Sequence, residues 1–144
     1  MKPQTIVENG LYYFEHGYSC AEASLQAGAE YYGCDSQCTP AVAAAFGGGI
    51  QGRGHICGAF TGTLMLIGLL HGKQSLGDSK EMANQKSEEF IRYCENVWGT
   101  LMCRDITELD FRAPDASTEE KQQVKEKTCA PLLRRVLQWQ RDNL

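Results

Sequence analysis

Cysteine is the residue type whose number and placement could support chemistry in this chain. Seven cysteines occur in 144 residues. Because reducing compartments make structural disulfides rare, thiols at this density more often serve redox chemistry or metal binding. A thiolate is both the nucleophile and the metal ligand, and a helix N-terminus or a nearby cation lowers the thiol pKa from about 8.5 to between about 3.5 and 7.5. Cysteines at predicted helix starts are therefore the candidates for a site.

Cys57 meets these conditions best. It opens the apolar segment CGAFTGTLMLIGLLHG, which predicts a central helix over residues 57–70 that stops at Gly72. His55 and Arg53 precede the thiol in a glycine-rich loop that can expose free backbone amides. We expect these features to lower the pKa of Cys57.

Cys20 and Cys103 also have helix-start or cationic surroundings. Cys20 lies in the first turn of a helix predicted over residues 20–32, which Ser19 caps. Cys103 is followed directly by Arg104, which gives a similar but weaker reason for a lowered pKa. Both thiols join the candidate set.

Cys129 is the fourth candidate because a proline follows it closely. Ser117 and Glu120 have the spacing of a capping box and predict the start of a helix. Pro131 has no backbone N–H to donate, so it should kink or restart that helix. Cys129 would then lie near the new first turn.

The other three thiols carry weaker signals. Cys34 and Cys38 form CDSQC, which lacks the second pair of a zinc ribbon, although the two could close a small disulfide on oxidation. Cys94 lies inside the helical segment FIRYCENVW and is expected to pack as a small hydrophobic residue.

The loop GGGIQG fits the pattern GxGxxG of dinucleotide-binding proteins. That fingerprint requires a preceding strand, whereas AVAAAF predicts a short helix opened by Pro40. We therefore reject a dinucleotide fold. Gly47, Gly48 and Gly49 stay weak candidates for a loop that cradles an anion or a thiolate.

Apolar residues recur every three to four positions along the chain, and no segment alternates apolar and polar residues convincingly. This pattern predicts an all-α protein, with residues 1–144 forming a single-domain bundle of about five to seven helices. A first helix is predicted over residues 4–15, and a long amphipathic helix from a cap at Asp78 to Trp98.

Small residues mark one face of the central helix. Gly54, Gly58 and Gly62 are four positions apart, so they would share a face if the helix included all three. Such a face lets a second backbone approach closely.

Charge and hydropathy exclude several classes of function. The net charge is −4 and the pI about 5.4, with scattered basic residues, so we expect no nucleic-acid partner. The N-terminal segment lacks the apolar core of a signal peptide, and the apolar segment 56–70 falls short of the roughly 20 residues that span a bilayer. We expect a cytoplasmic protein without direct membrane insertion.

The cysteines and their flanking residues resemble a known family, the small helical redox-active proteins named for the pattern C-GCAxxG-C-C. Cys57, Gly58, Ala59 and Gly62 reproduce its CGAxxG motif. The other landmarks run in the family's order over residues 11–137, and they are Cys20 in GYSCAEA, the FGGG loop at residues 46–49, Cys103 in CRDI, and Cys129. Ser19 stands where the family usually has asparagine, and Cys34, Cys38 and Cys94 look like additions.

The resemblance implies redox activity at these four thiols. Cys20, Cys57, Cys103 and Cys129 would meet in one pocket and cycle between thiol and disulfide, with Cys57 attacking and a neighbour resolving. Some relatives are encoded near transporter genes or fused to electron-transfer domains, which implies a link to those processes with a redox partner that the sequence does not name. The supporting residues would be Arg53, His55, Gly58, Ala59, Gly62 and Arg104.

Two alternatives stay open. The same four thiolates could bind an iron–sulfur cluster or another soft metal as the protein's cofactor. In the other alternative the protein is a non-catalytic helical interaction protein, its cysteines only pack, and its glycine face serves a homodimer or a neighbouring helix.

Overall fold

The computed structural model describes residues 5–144, and over this range the chain is helical with no strand. No helix within this range is both long enough and apolar enough to cross a bilayer. A 3₁₀ helix (Ala41–Phe46) lies between α2 and α3, and a π-helical turn (Lys125–Cys129) joins α6 to α7. The α-helices are α1 (Ile6–Glu15), α2 (Cys20–Tyr31), α3 (Gly58–His71), α4 (Glu81–Trp98), α5 (Cys103–Thr107), α6 (Thr118–Val124) and α7 (Ala130–Asn143). The all-helical prediction is confirmed.

The first two helices begin at full capping boxes. The Thr5 hydroxyl accepts a hydrogen bond from the backbone N–H of Glu8, whose carboxylate accepts one from the N–H of Thr5. Ser19 and Glu22 repeat this arrangement and fix the start of α2 at Cys20, as predicted. The predicted start of α1 at Gln4 lies outside the described residues.

One predicted cap is placed differently, and another forms in part. Asp78 does not cap α4, because its carboxylate accepts hydrogen bonds from the backbone N–H groups of Gln74 and Ser75 and closes a turn instead. The long helix starts at Glu81 and ends at Gly99, whose φ of 73° gives the left-handed C-cap that glycine favours. At α6 the hydroxyl of Ser117 accepts from the N–H of Glu120, but only this half of the predicted capping box forms.

Three boundaries differ around the candidate thiols. Residues 41–46 form a 3₁₀ helix, and Pro40 takes its N-cap position instead of its first turn. Cys57 is the N-cap residue of α3, one position before the helix that it was predicted to open. Cys103 begins α5, a single turn that the sequence did not predict.

The predicted restart at Pro131 is wrong. The backbone of Cys129 has helical angles, with φ −69° and ψ −45°, and the chain runs through it without a break. The N–H of Ala130 donates to the carbonyl of Lys125, so the helix accommodates the proline by widening one turn into a π-helical turn. Cys129 therefore has no free helix N-terminus beside it.

Helices α2 and α3 pack closely because both present small residues at their contact. A Cβ atom at Gly62 would lie 2.5 Å from the carbonyl oxygen of Ala21, and it would also collide with the hydroxyl of Ser24. The prediction of a close glycine face is confirmed for Gly58 and Gly62. It is wrong for Gly54, which precedes the helix with a φ of 75°.

Helix α7 closes the bundle against this pair through a buried amide. The Nε2 of Gln140 donates to the hydroxyl of Thr63 at 2.8 Å and to the carbonyl of Ser24 at 3.1 Å, so one side chain ties α7 to α3 and α2. On the far side of α3, Phe60 and Phe90 meet edge-on at 6.0 Å between ring centroids and hold α4 in place.

Gly62→Ala should lower the free energy of unfolding by about 1–3 kcal/mol, because its methyl group would have to separate α2 from α3. Gly68→Ala is the matched control on the same helix, since nothing lies within 4 Å of a Cβ atom there. The control should raise stability by about 0.5–1 kcal/mol. Urea unfolding followed by circular dichroism measures both, and equal effects would contradict the close α2–α3 contact.

Candidate thiol site

The loop between the 3₁₀ helix and α3 folds back on itself and forms one side of the site. The N–H groups of Gly52 and Gly54 donate to the carbonyls of Gly47 and Gly48, each at 3.1 Å. Gly48 and Gly49 have φ of 63° and 71°, and a Cβ atom at Gly49 would lie 2.5 Å from the backbone nitrogen of His55. The glycines are thus required by left-handed backbone and by close approach.

Two extended segments pair side by side next to this loop and bring together two thiols that are distant in the sequence. The N–H of Cys57 donates to the carbonyl of Leu101 at 2.8 Å, and the N–H of Cys103 donates to the carbonyl of His55 at 2.6 Å. The pairing is antiparallel, with a bridge between Ile56 and Met102. Cys57 and Cys103 consequently line the same cavity, each at the start of a helix.

The sulfur of Cys20 lies in a cradle of backbone amides. The backbone N–H groups of Gly48, Ala59 and Ala21, which belong to the loop, α3 and α2, are among the causes that lower its pKa. Gly58 makes this approach feasible, because a Cβ atom there would lie 2.6 Å from the Cys20 sulfur. Amides from three parts of the chain therefore stabilise negative charge on one thiol.

Cys20 and Cys57 share a hydrogen bond that separates their acidities. Hydrogen bonding with the Cys57 thiol is the largest cause that lowers the pKa of Cys20, to about 7, and the backbone amides add to it against the opposing effect of burial. The same contact, burial and the charge on Cys20 raise the pKa of Cys57 well above its usual value. The sequence predicted a lowered pKa for Cys57. In the structure Cys20 has the lowered pKa and Cys57 a raised one.

Arg53, His55 and Arg104, the cationic residues near Cys57, are not among the causes that set the pKa of Cys57. Arg104 donates from Nε to the carbonyl of Gly54 and from Nη2 to the carbonyl of Arg53, each at 3.3 Å. The side chain of Arg53 is exposed, and the backbone of His55 pairs with Gly49 and Cys103. The causes that set the pKa of Cys57 are Cys20, burial, the Ala59 amide and Cys103.

Cys103 and Cys129 complete the thiol lining as neutral groups. Burial is the largest cause in both cases, and it raises the pKa of Cys103 to about 11 and that of Cys129 to about 12. Negative charge on Cys20 raises both values further, while Lys125 lowers that of Cys129. The pKa values of both thiols therefore depend on the charge of Cys20.

The four thiols surround one cavity of about 680 Å³, a size typical of small-molecule sites. Phe14, Tyr18, Ile106, Phe111 and Leu132 supply its apolar walls, and Glu15, Glu22, Gln122, Lys125 and Glu126 its polar groups. Sequence reasoning missed these ten residues, because their positions at the cavity depend on how helices distant in the chain pack together. The capping box at Ser19 is a sequence signal that favours Cys20 over Cys57 as the thiol at a helix start.

The remaining cysteines lie away from this cavity. Cys94 is fully buried in the core, and burial raises its pKa strongly, so its predicted packing role agrees with its position. Cys38 is exposed, and Cys34 is half-buried with a raised pKa. All seven cysteines are free thiols.

The thiols do not fit a pre-arranged metal site. Within residues 5–144 no group of three or more histidine, cysteine, aspartate or glutamate side chains is placed to hold a metal ion. An iron–sulfur cluster or tetrahedral zinc needs about four ligands in one arrangement. The ligand set proposed for Cys20, Cys57, Cys103 and Cys129 is thus not formed in this conformation.

Alkylation with iodoacetamide should distinguish Cys20 from its partner. Cys20 should react with half-maximal rate near pH 7, because only the thiolate attacks. Cys57→Ala removes the S–H donor and should move this midpoint upward by about one pH unit. Cys38→Ala, on an exposed thiol outside the cavity, should leave it unchanged. Peptide mass spectrometry after timed quenching measures each midpoint, and a pH-independent Cys20 would refute the assignment.

Comparison with known proteins adds one match. The family model described as "Putative redox-active protein (C_GCAxxG_C_C)" matches residues 18–142. No curated protein and no solved structure matched the chain. The matched range contains the glycine loop, the cavity thiols and the helices that position them. Because the match covers most of the sequence, the chain belongs to the C_GCAxxG_C_C family, as the resemblance of its motifs implied.

Proposed function

We propose that this protein is a thiol–disulfide redox protein in which Cys20 is the nucleophile and Cys57 the resolving thiol. The observation that carries the proposal is geometric: both thiols line one cavity, and the sulfur of Cys20 lies against the first turn of α3, the helix that Cys57 immediately precedes. A thiol with a pKa near ambient pH combines a large thiolate fraction with good nucleophilicity, which is the optimum for exchange. Cys20 is half-buried on the cavity, whereas Cys57 is only 7% exposed behind it.

The reaction proceeds in two exchanges. The Cys20 thiolate attacks one sulfur of a substrate disulfide, a mixed disulfide forms, and the other substrate sulfur leaves as a thiolate that takes a proton from water. Cys57 then gives its proton to water and attacks the Cys20 sulfur. The Cys20–Cys57 disulfide forms, the second substrate thiol leaves, and the substrate has gained the two electrons that the cysteine pair has lost.

The pKa of Cys57 supports this order of events. While Cys20 is a thiolate, its negative charge and its hydrogen bond keep Cys57 protonated. Both causes disappear once the Cys20 sulfur is in a mixed disulfide, so the pKa of Cys57 falls when its thiolate is needed. The amides that held the Cys20 thiolate remain in place for the returning charge when the disulfide is reduced.

Cys103 and Cys129, which also line the cavity, are proposed to act as secondary resolving thiols. Their raised pKa values keep them protonated at neutral pH. They do not compete with Cys20 for the first attack, and either would resolve a mixed disulfide much more slowly than Cys57. Cluster or metal binding is an outcome of the test below, because no arrangement of ligands in the described residues favours it.

Anaerobic purification followed by thiol and metal analysis tests the proposal. The protein should be free of iron and zinc, and mild oxidation with bis(2-hydroxyethyl) disulfide should remove two thiols reversibly. Peptide mapping should then find the Cys20–Cys57 disulfide. Bound iron with sulfide, or a disulfide elsewhere with Cys20 still free, would contradict the assignment.

The single variants test the two roles. Cys57→Ser should accumulate a mixed disulfide on Cys20 with a mass increase of one substrate half, because the main resolving thiol is absent. Cys20→Ser should lose the fast reaction altogether. Cys38→Ser is the matched control outside the cavity and should behave as the unaltered protein. Fast oxidation of Cys20→Ser would show that another thiol attacks first.

A further inference from the structure

The cavity in front of Cys20 has apolar walls and a charged mouth. Phe14 and Tyr18 line it from the end of α1 and the turn after it, Ile106 and Phe111 from α5 and the segment that follows, and Leu132 from α7. Walls of this kind bury the body of a small molecule, and a few polar groups at the opening then decide which molecules enter.

Carboxylates dominate that opening. Glu15, Glu22 and Glu126 line the cavity, and Lys125 is the one basic residue among the lining residues that the structure describes. None of the four makes an ion pair in the part of the chain that the structure describes, where the ion pairs are Lys86–Glu89, Arg92–Glu88 and Arg141–Asp142. The mouth therefore carries a net charge of about −2 at neutral pH, in addition to the thiolate of Cys20.

Of the three carboxylates, only Glu22 is explained by local structure, because it completes the capping box of α2. Glu15 and Glu126 are not explained in this way. Glu15 is the last residue of α1, where a negative charge opposes the helix dipole, and its side chain is exposed. Glu126 is exposed on the π-helical turn and accepts only a hydrogen bond from its helical neighbour Gln122.

The nearby arginines do not neutralise this mouth from inside the cavity. Arg104 is engaged with the backbone carbonyls of the glycine loop, and Arg53 is exposed on that loop. The side chain of Arg112 packs against Gly52 but does not line the cavity. The charges that face an entering molecule are those of the three carboxylates and Lys125.

We propose that the cavity selects small disulfides, or the corresponding thiols, that combine an apolar body with positive charge, and that it disfavours anionic ones such as glutathione disulfide. This inference rests on the proposed function of Cys20 and Cys57 and names the substrate class of that site. The cavity with its thiolate makes the site, and Glu15 and Glu126 are its specificity-determining residues. They attract a cationic substrate to the mouth and repel a dianion before the sulfur atoms meet.

Three symmetrical disulfides of similar length test the selectivity. They are cystamine, which carries two positive charges, neutral bis(2-hydroxyethyl) disulfide, and dianionic 3,3′-dithiodipropionate. At pH 7 and low salt the rate constant for oxidation of the thiol pair should fall about tenfold from the first to the second, and about tenfold again to the third. Raising the ionic strength to about 1 M should shrink both ratios, because salt screens the exposed charges.

Charge-removing variants separate the mouth from the thiolate, which by itself also favours cations. Glu15→Gln combined with Glu126→Gln should reduce each ratio to about threefold or less. Glu119→Gln, on exposed α6 but outside the cavity lining, is the matched control and should keep the full ratios.

The outcomes distinguish the two proposals. If the unaltered protein does not react with the neutral disulfide, the proposed function fails. If it reacts and forms the Cys20–Cys57 disulfide, but the ratios are absent or are the same in the double variant, the function stands and the selectivity is overturned. Circular dichroism of each variant confirms that the helical fold is intact before rates are compared.

Discussion

The missing side chain at Gly58 is the constraint on which the rest of the site depends. It lets the sulfur of Cys20 lie against the first turn of α3, at a place where a Cβ atom would come within 2.6 Å. From there the sulfur reaches amides of α2, α3 and the glycine loop together. Gly62 continues the close contact one turn later, so the helix pair that forms the core of the bundle also forms the thiolate cradle.

A single hydrogen bond then differentiates two residues of the same type. Cys20 and Cys57 both precede or begin helices, and burial raises the pKa of both. Cys20 receives the donors, and Cys57 supplies one of them, so one thiol becomes the anion and the other keeps its proton. In the proposed function this asymmetry supplies a nucleophile and a second thiol that keeps its proton, without a cation at either sulfur.

Much of the scaffold serves to hold these two helix starts together. The glycine loop is held by two sets of contacts. Arg104 donates to its backbone, and the segments around Ile56 and Met102 pair in antiparallel direction beside it. The Gln140 side chain ties α7 to both central helices deep in the core. The π-helical turn keeps the last helical arm continuous past Pro131, which carries Cys129 and the charged residues of the mouth to the cavity.

The sequence by itself determined the helical class, the capping box that starts α2, the small-residue face of α3 and the family, because these depend on neighbours within a few positions. The same local signals failed where a partner lies far along the chain. Asp78 closes a turn, Gly54 packs on Arg104, and Pro131 widens a turn instead of breaking the helix. Only the tertiary structure decided which thiol is acidic, because the amides around Cys20 come from three separate segments, and a pKa depends on the distance to such donors and not on their order in the chain.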